Sequence, residues 1–273
     1  MSKKKIQGII KQIICILLSL IVITPFYMVL INSFKSKGEA ARMSLSLPKQ
    51  WVFTNYSEVI EKGKLLQGFS NSMLYATVAT LIGVILCAMA AFVICRRKSK
   101  LNDFIYYFVL CGLFFPVNYV TLVKVFQMVH LTDTKLGIII TFTSAMIPFC
   151  VFTIRNFVLS VPVEMDEAAV IDGAGPLALF FGIIIPLLKP ILVTCFILQF
   201  MGVWSDFLTP LYLSSKSKMF PMTMAVYQFF GKNTNYWNYI FADIVLTCVP
   251  VLIVYMLGQK YIVSGMTSGA VKE

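Results

Sequence analysis

Six stretches of this chain are each apolar over about the 20 residues a helix needs to cross roughly 30 Å of hydrocarbon. They run over residues 9–31, 73–95, 104–123, 136–154, 191–213 and 239–257. Lipid offers the backbone no hydrogen-bond partner, so each stretch must satisfy its own N–H and C=O groups and is expected to be an α-helix. The expected fold is an all-α integral membrane protein with six transmembrane helices. Residues 1–273 then form a single transmembrane domain: a first span (9–31), an outer loop (32–72), a five-span core (73–260) and a tail (261–273). Pro116 and Pro210 interrupt or end the third and fifth stretches, which neighbouring helices can tolerate by covering the freed carbonyls.

Composition agrees: 59% of residues are hydrophobic, only 13% are charged, and mean hydropathy is +0.84. Soluble domains carry about twice that charged fraction. The net charge of +11 does not point to nucleic acid, because the Lys and Arg residues lie in loops between apolar blocks. There they serve as headgroup anchors and topology signals. Lys3, Lys4, Lys5 and Lys11 lie before or in the first turn of the first span, and Arg96, Arg97, Lys98 and Lys100 follow the second. These two dense clusters place both termini in the cytoplasm, although basic residues over the whole chain are nearly balanced between the sides. The basic start before residues 9–31 is like a signal peptide, but the apolar core is too long and no small-residue cleavage site follows Thr24-Pro25-Phe26.

Most catalytic classes are excluded. The seven cysteines are dispersed through apolar blocks without C-x-x-C spacing, which suits small buried hydrophobes. His130 is the single histidine, so neither a multi-histidine metal centre nor a Ser-His pair is expected, and Asp133 beside it makes at best a weak acid–base pair. The chain lacks G-x-x-x-x-G-K-[ST], so it binds no nucleotide phosphate in the usual way.

The segment 155–189 breaks the charge pattern. It carries Glu164, Asp166, Glu167 and Asp172 against Arg155 and Lys189, a net charge of −2 on the cytoplasmic side. Pro162 suits the first position of a helix, the following carboxylates suit the positive end of its dipole, and Gly173 suits a left-handed stop. Pro176 opens a second apolar run that ends at Pro186, with Pro190 just beyond. Ala168 and Ala169 are small enough for close approach by a partner, with Glu167 at the rim. On these grounds alone the segment is either a surface-lying connector or an element that receives force from a soluble partner.

The spacing resembles a known family. Glu167-Ala168-Ala169, three residues, Gly173, nine residues and Ile183-Ile184-Ile185-Pro186 are similar to the EAA-x₃-G-x₉-I-x-L-P loop of binding-protein-dependent ATP-binding-cassette importers. Ile185 stands where leucine is usual. The stretch from Pro162 to Ala174, Asn71-Ser72-Met73, Trp204-Ser205-Asp206-Phe207-Leu208 and the ending Gly265 to Lys272 resemble the carbohydrate importers, the ending in particular their maltose-type second permease subunit. The resemblance implies a type I importer permease in the cell membrane of a bacterium or archaeon. Its partners would be a second homologous permease subunit, a dimer of ATPase subunits and an extracellular or periplasmic solute-binding protein. ATP and Mg would be bound by the ATPase, with no cofactor or metal in this chain. The family pattern assigns ATPase coupling to Glu167, Ala168, Ala169, Asp172 and Gly173, and a weaker ATPase contact to Gly265, Thr267, Gly269 and Lys272.

Asn71, Trp204 and Asp206 are candidates for the substrate pathway, since an acid near a span usually faces a cavity or a partner and an indole can stack on a sugar ring. A helix–helix contact is the competing reading. Asp243 matches no family position and is unexplained. The motifs favour a di- or oligosaccharide as solute; relatives with similar loops carry glycerol-phosphate compounds. An ion-coupled carrier working alone would need paired broken helices, which the sequence does not show as an internal repeat.

Overall fold

The computed structural model describes residues 3–231 and 235–268, and every regular element among them is helical. In chain order these are α1 (Lys3–Ser33), α2 (Lys37–Ala40), α3 (Thr54–Lys62), α4 (Leu65–Arg96), α5 (Lys100–Cys111), α6 (Tyr119–Met128), α7 (Lys135–Val158) and α8 (Glu164–Ile171). Then follow α9 (Pro176–Leu179), a π-helical turn (Phe180–Ile184), α10 (Ile185–Ser205), α11 (Leu208–Leu213), two 3₁₀ segments (Ser217–Met219 and Met222–Phe229) and α12 (Trp237–Ser268).

Five of these helical runs are long and apolar enough to cross a membrane: Lys11–Ser33, Leu65–Arg96, Lys135–Val158, Pro176–Ser205 and Trp237–Ile262. The expected third span, 104–123, is instead two short helices, α5 and α6, with non-helical backbone at 112–118. Pro116 has no N–H to extend a helix. Two residues on, the Asn118 side chain accepts from the Thr121 N–H at 3.1 Å and starts a new one.

The fifth span also differs from expectation. Its helix begins at Pro176 rather than 191, and Pro186 and Pro190 do not end it. The π turn explains why: the Ile185 N–H reaches back five residues to the Phe180 carbonyl. That wider turn gives the Pro186 ring room against the preceding turn, where an α-helix would clash.

The chain divides into two compact units, residues 1–66 with 224–249, and residues 67–223 with 250–273. The first is organised by a buried polar network just beyond α1. The Lys35 ammonium is fully buried and donates to Asn32 Oδ1, the Ser44 carbonyl and Ser44 Oγ, which satisfies its three hydrogens. Asn55 Nδ2 donates to the Ser33 and Lys35 carbonyls, and Asn55 Oδ1 accepts from Asn238 Nδ2. Phe34, the residue after α1, packs its ring at 5.1–5.4 Å from Trp51, Phe53 and Tyr56.

In the second unit α4 packs through small side chains. Ala76, Ala79, Thr80, Gly83, Cys87, Ala88 and Ala91 recur at helical spacing and are buried. Without a hydrophobic drive between helices in lipid, such close backbone approach supplies the packing energy. Thr143 of α7 accordingly donates to the Ala79 carbonyl, and a side chain at Gly83 would strike Met146. Between α6 and α7, the Asp133 carboxylate accepts from Ser215 N–H at 2.6 Å and from Ser215 Oγ. Those donors, chiefly the Ser215 N–H, hold its pKa below the ordinary value of 3.8. The tie therefore stabilises the fold above the unfolded pKa and is lost as pH falls through the lower, folded one. Limited proteolysis of the 213–216 segment is expected to accelerate as pH drops below about 4, and Asp133→Asn should remove that pH step.

Candidate functional site

The segment after α7 leaves the long helices for a single short one. Glu164, Asp166 and Glu167 occupy the first turn of α8, where their charge offsets the unpaired N–H groups. The helix starts at Glu164, two residues after Pro162, the expected first helical position. It ends as the spacing predicts. Gly173 takes φ +83°, its N–H donates to the Val170 carbonyl at 3.0 Å, and the Ala174 N–H donates to the Ala169 carbonyl at 2.9 Å. These two bonds close a helix around a left-handed residue. Gly175 then turns the chain into α9, with Pro176 at its first position.

The two alanines differ in exposure. Ala169 is 5% exposed and Asp166 9%, both turned inward, whereas Glu167, Ala168, Asp172 and Gly173 lie outside. Val170 and Ile171 are 60% and 85% exposed, and Leu177 beyond the turn is exposed as well. The result is an apolar ridge rimmed by Glu164, Glu167 and Asp172. Such a patch is costly in water and fits a partner with an apolar floor and a basic edge.

One contributor was not legible in the sequence. Arg96, read there as a topology charge, donates from Nε to Asp166 Oδ2 at 2.6 Å and from Nη2 to the Val161 carbonyl at 3.0 Å. The bridge side chains are only 15% and 13% exposed. The sole sequence signal was an acid in the first turn of α8 with no local basic partner. A cleft of about 620 Å³, bordered by Lys98, Ser160 and Glu164, opens beside the bridge.

The candidate pathway residues all lie in the second unit, with bonds inside the chain. Asn71 Nδ2 donates to the Lys218 and Phe220 carbonyls, and its Oδ1 accepts from Lys135 Nζ. Trp204 is buried against the rings of Phe69 and Phe200. Asp206 ends α10, and its Oδ1 accepts from the Thr209 N–H at the start of α11. Asp243 is buried in α12, and its Oδ1 has no hydrogen-bond partner among the described residues. Gly265 and Thr267 fall in the last turns of α12, while Gly269 and Lys272 lie outside the described residues. No cluster of metal-ligating side chains occurs among the described residues.

Residues 79–268 match the family of binding-protein-dependent transport system inner membrane components. The chain is 34% identical over 264 residues to the diacetylchitobiose uptake system permease protein NgcG of Streptomyces coelicolor, covering 95% of this chain and 87% of that one. It is 32% identical over 275 residues to the probable starch degradation products transport system permease protein AmyC of Thermoanaerobacterium thermosulfurigenes, covering 100% of each. To the melibiose/raffinose/stachyose import permease protein MelC of Bacillus subtilis it is 33% identical, covering 91% of both chains. Among solved structures, a bacterial ABC transporter involved in the import of the acidic polysaccharide alginate superposes with a TM-score of 0.84, at 21% identity, over 96% of this chain and 98% of that one. At that identity the likeness concerns the fold.

Proposed function

Because the chain belongs to the binding-protein-dependent transport system inner membrane components, we propose that it forms half of a translocation pathway for a di- or oligosaccharide and is driven through α8 by a separate ATPase. As a member of that family it is a non-catalytic permease subunit and a multi-pass protein of the cytoplasmic membrane. Its relatives are named for diacetylchitobiose, starch degradation products and melibiose, raffinose or stachyose, all short glycosides. That shared chemistry supports an oligosaccharide as the solute.

The observation that carries the coupling reading is the exposed ridge on α8, closed by Gly173 in the left-handed conformation that glycine adopts most readily. Glu167, Ala168, Asp172 and Gly173 would meet the ATPase, while Ala169 seats the helix on its own chain. The expected partners are an ATPase dimer, a second homologous permease subunit and an extracellular solute-binding protein. The tail residues Gly265, Thr267, Gly269 and Lys272 are a secondary ATPase contact in this reading. The topology we favour keeps both termini in the cytoplasm, with α5 and α6 together making the third crossing as a broken pair. Broken helices are tolerated at membrane depth where protein covers them.

The test is reconstitution. The chain, its partner permease and the ATPase in proteoliposomes, given binding protein, are expected to take up labelled oligosaccharide only with ATP. Gradient-driven uptake by the purified chain alone, without ATP, would overturn the proposal.

A further inference from the structure

The two ends of α4 are each held by side-chain hydrogen bonds to a different segment of the second unit. At one end its last residue, Arg96, grips Asp166 in the first turn of α8 and the Val161 carbonyl before it. At the other, three successive inward residues hold the segment 218–222. Asn71 Nδ2 donates to the Lys218 and Phe220 carbonyls, Ser72 Oγ accepts from the Met222 N–H, and the Tyr75 hydroxyl donates to the Met219 carbonyl. Gly68 lets that segment lie directly on the helix, since a Cβ there would sit 3.2 Å from Met222 Cα.

Between these two grips α4 is continuous. Of the five long apolar helices among the described residues, it alone contains no proline. Proline frees carbonyls and lets a helix bend, so the other four have a proline hinge to absorb displacement and α4 has not. At 1.5 Å per residue, Asn71 and Arg96 stand about 38 Å apart along its axis.

We infer that α4 is the rigid link by which movement of α8 reaches the 217–222 segment at the opposite end of the unit, with Arg96 and Asp166 as the positioning residues that engage it. This inference rests on the coupling reading of α8. Motion imposed on the exposed ridge has few routes inward, because α8 turns only Asp166 and Ala169 toward its own chain. Ala169 offers a methyl contact that can slide. The guanidinium holds Asp166 and the Val161 carbonyl at once, and a two-point, charge-assisted grip resists sliding.

The test uses the full transport complex in proteoliposomes, with Ser217→Cys as an exposed reporter and an impermeant maleimide. Modification of the parent chain is subtracted as background. The rate at Ser217→Cys is expected to change about tenfold between nucleotide-free and ATP–vanadate states. Asp166→Asn, which keeps shape and loses charge, should reduce that change to about twofold or less, and Asp166→Glu should retain most of it. Gly68→Leu, which lifts the segment from α4 without touching α8, should also blunt it while ATP hydrolysis persists. A reporter that ignores nucleotide, a response unchanged by Asp166→Asn, equal losses in Asp166→Asn and Asp166→Glu, or a normal response in Gly68→Leu would each overturn the link. ATP-dependent uptake by the parent complex, measured alongside, tests the coupling reading separately: uptake with an unresponsive reporter rejects only the link.

Discussion

A Gly173→Val chain is expected to insert into the membrane as wild type does and to support solute uptake at about a hundredth of the wild-type rate or less. The reason is conformational rather than steric. Nothing lies within 4 Å of a Cβ built at this position, so the side chain has room. The backbone does not, because φ is +83°, and a β-branched residue in the left-handed region costs on the order of 1–2 kcal/mol. That strain is relieved most cheaply by unwinding the Gly173 and Ala174 hydrogen bonds that close α8. The exposed ridge of Val170 and Ile171 then shifts relative to Leu177. Misplacing a docking element by about 1 Å costs roughly a hundredfold where geometry gates the reaction. Insertion is set by the long apolar helices, none of which contains Gly173. Asn, the side chain best tolerated in the left-handed region, should be far milder than Val. Uptake by reconstituted complexes, together with the amount of chain in the membrane fraction, measures both parts. Normal uptake by the valine variant would refute the coupling role of this turn.

The largest effect on stability is expected at Asn55. Its side chain makes three hydrogen bonds from a position 3% exposed: two donated to the Ser33 and Lys35 carbonyls and one accepted from Asn238. Asn55→Leu keeps the branched shape, with somewhat more bulk, and strands two carbonyls and an amide at a buried position. Each stranded group costs about 1–3 kcal/mol, so the three together cost about 3 kcal/mol at the least. For a chain of this size that corresponds to a fall in Tm of about 10 °C. Thermal unfolding of the purified complex measures it, and limited proteolysis of residues 34–64 should speed up in parallel. A variant melting within about 2 °C of wild type would mean the network holds without its centre.

How much of this was legible beforehand depended on whether the signal was local. The five long helices were readable because hydrocarbon thickness converts directly into a count of apolar residues. The third stretch is not one continuous helix, because hydropathy averages over Pro116 and Asn118 while the backbone answers to each of them singly. The fifth helix starts earlier than its apolar stretch for the opposite reason. Pro186 argued for a stop, but a π turn one turn earlier absorbed its ring, and no sequence rule places such a turn. At α8 the fixed spacing predicted the helix, its acidic first turn and its glycine stop. It did not tell Ala168 from Ala169, since adjacent helical residues differ by about 100° and only packing decides which one turns inward.

The amino-acid order by itself determined the helical character of the chain, the lengths that suit a bilayer and the left-handed turn at Gly173, because each depends on residues a few positions apart. The tertiary structure decided the partners of Arg96, Asn71 and Asn55. Asp166 is 70 residues from Arg96, Lys218 is 147 from Asn71 and Asn238 is 183 from Asn55. Pairings at such separations are selected by which polar groups are left buried once the helices have packed. For that reason the proposed docking helix could be placed from sequence, and the structure alone revealed how it is tied to the rest of the protein.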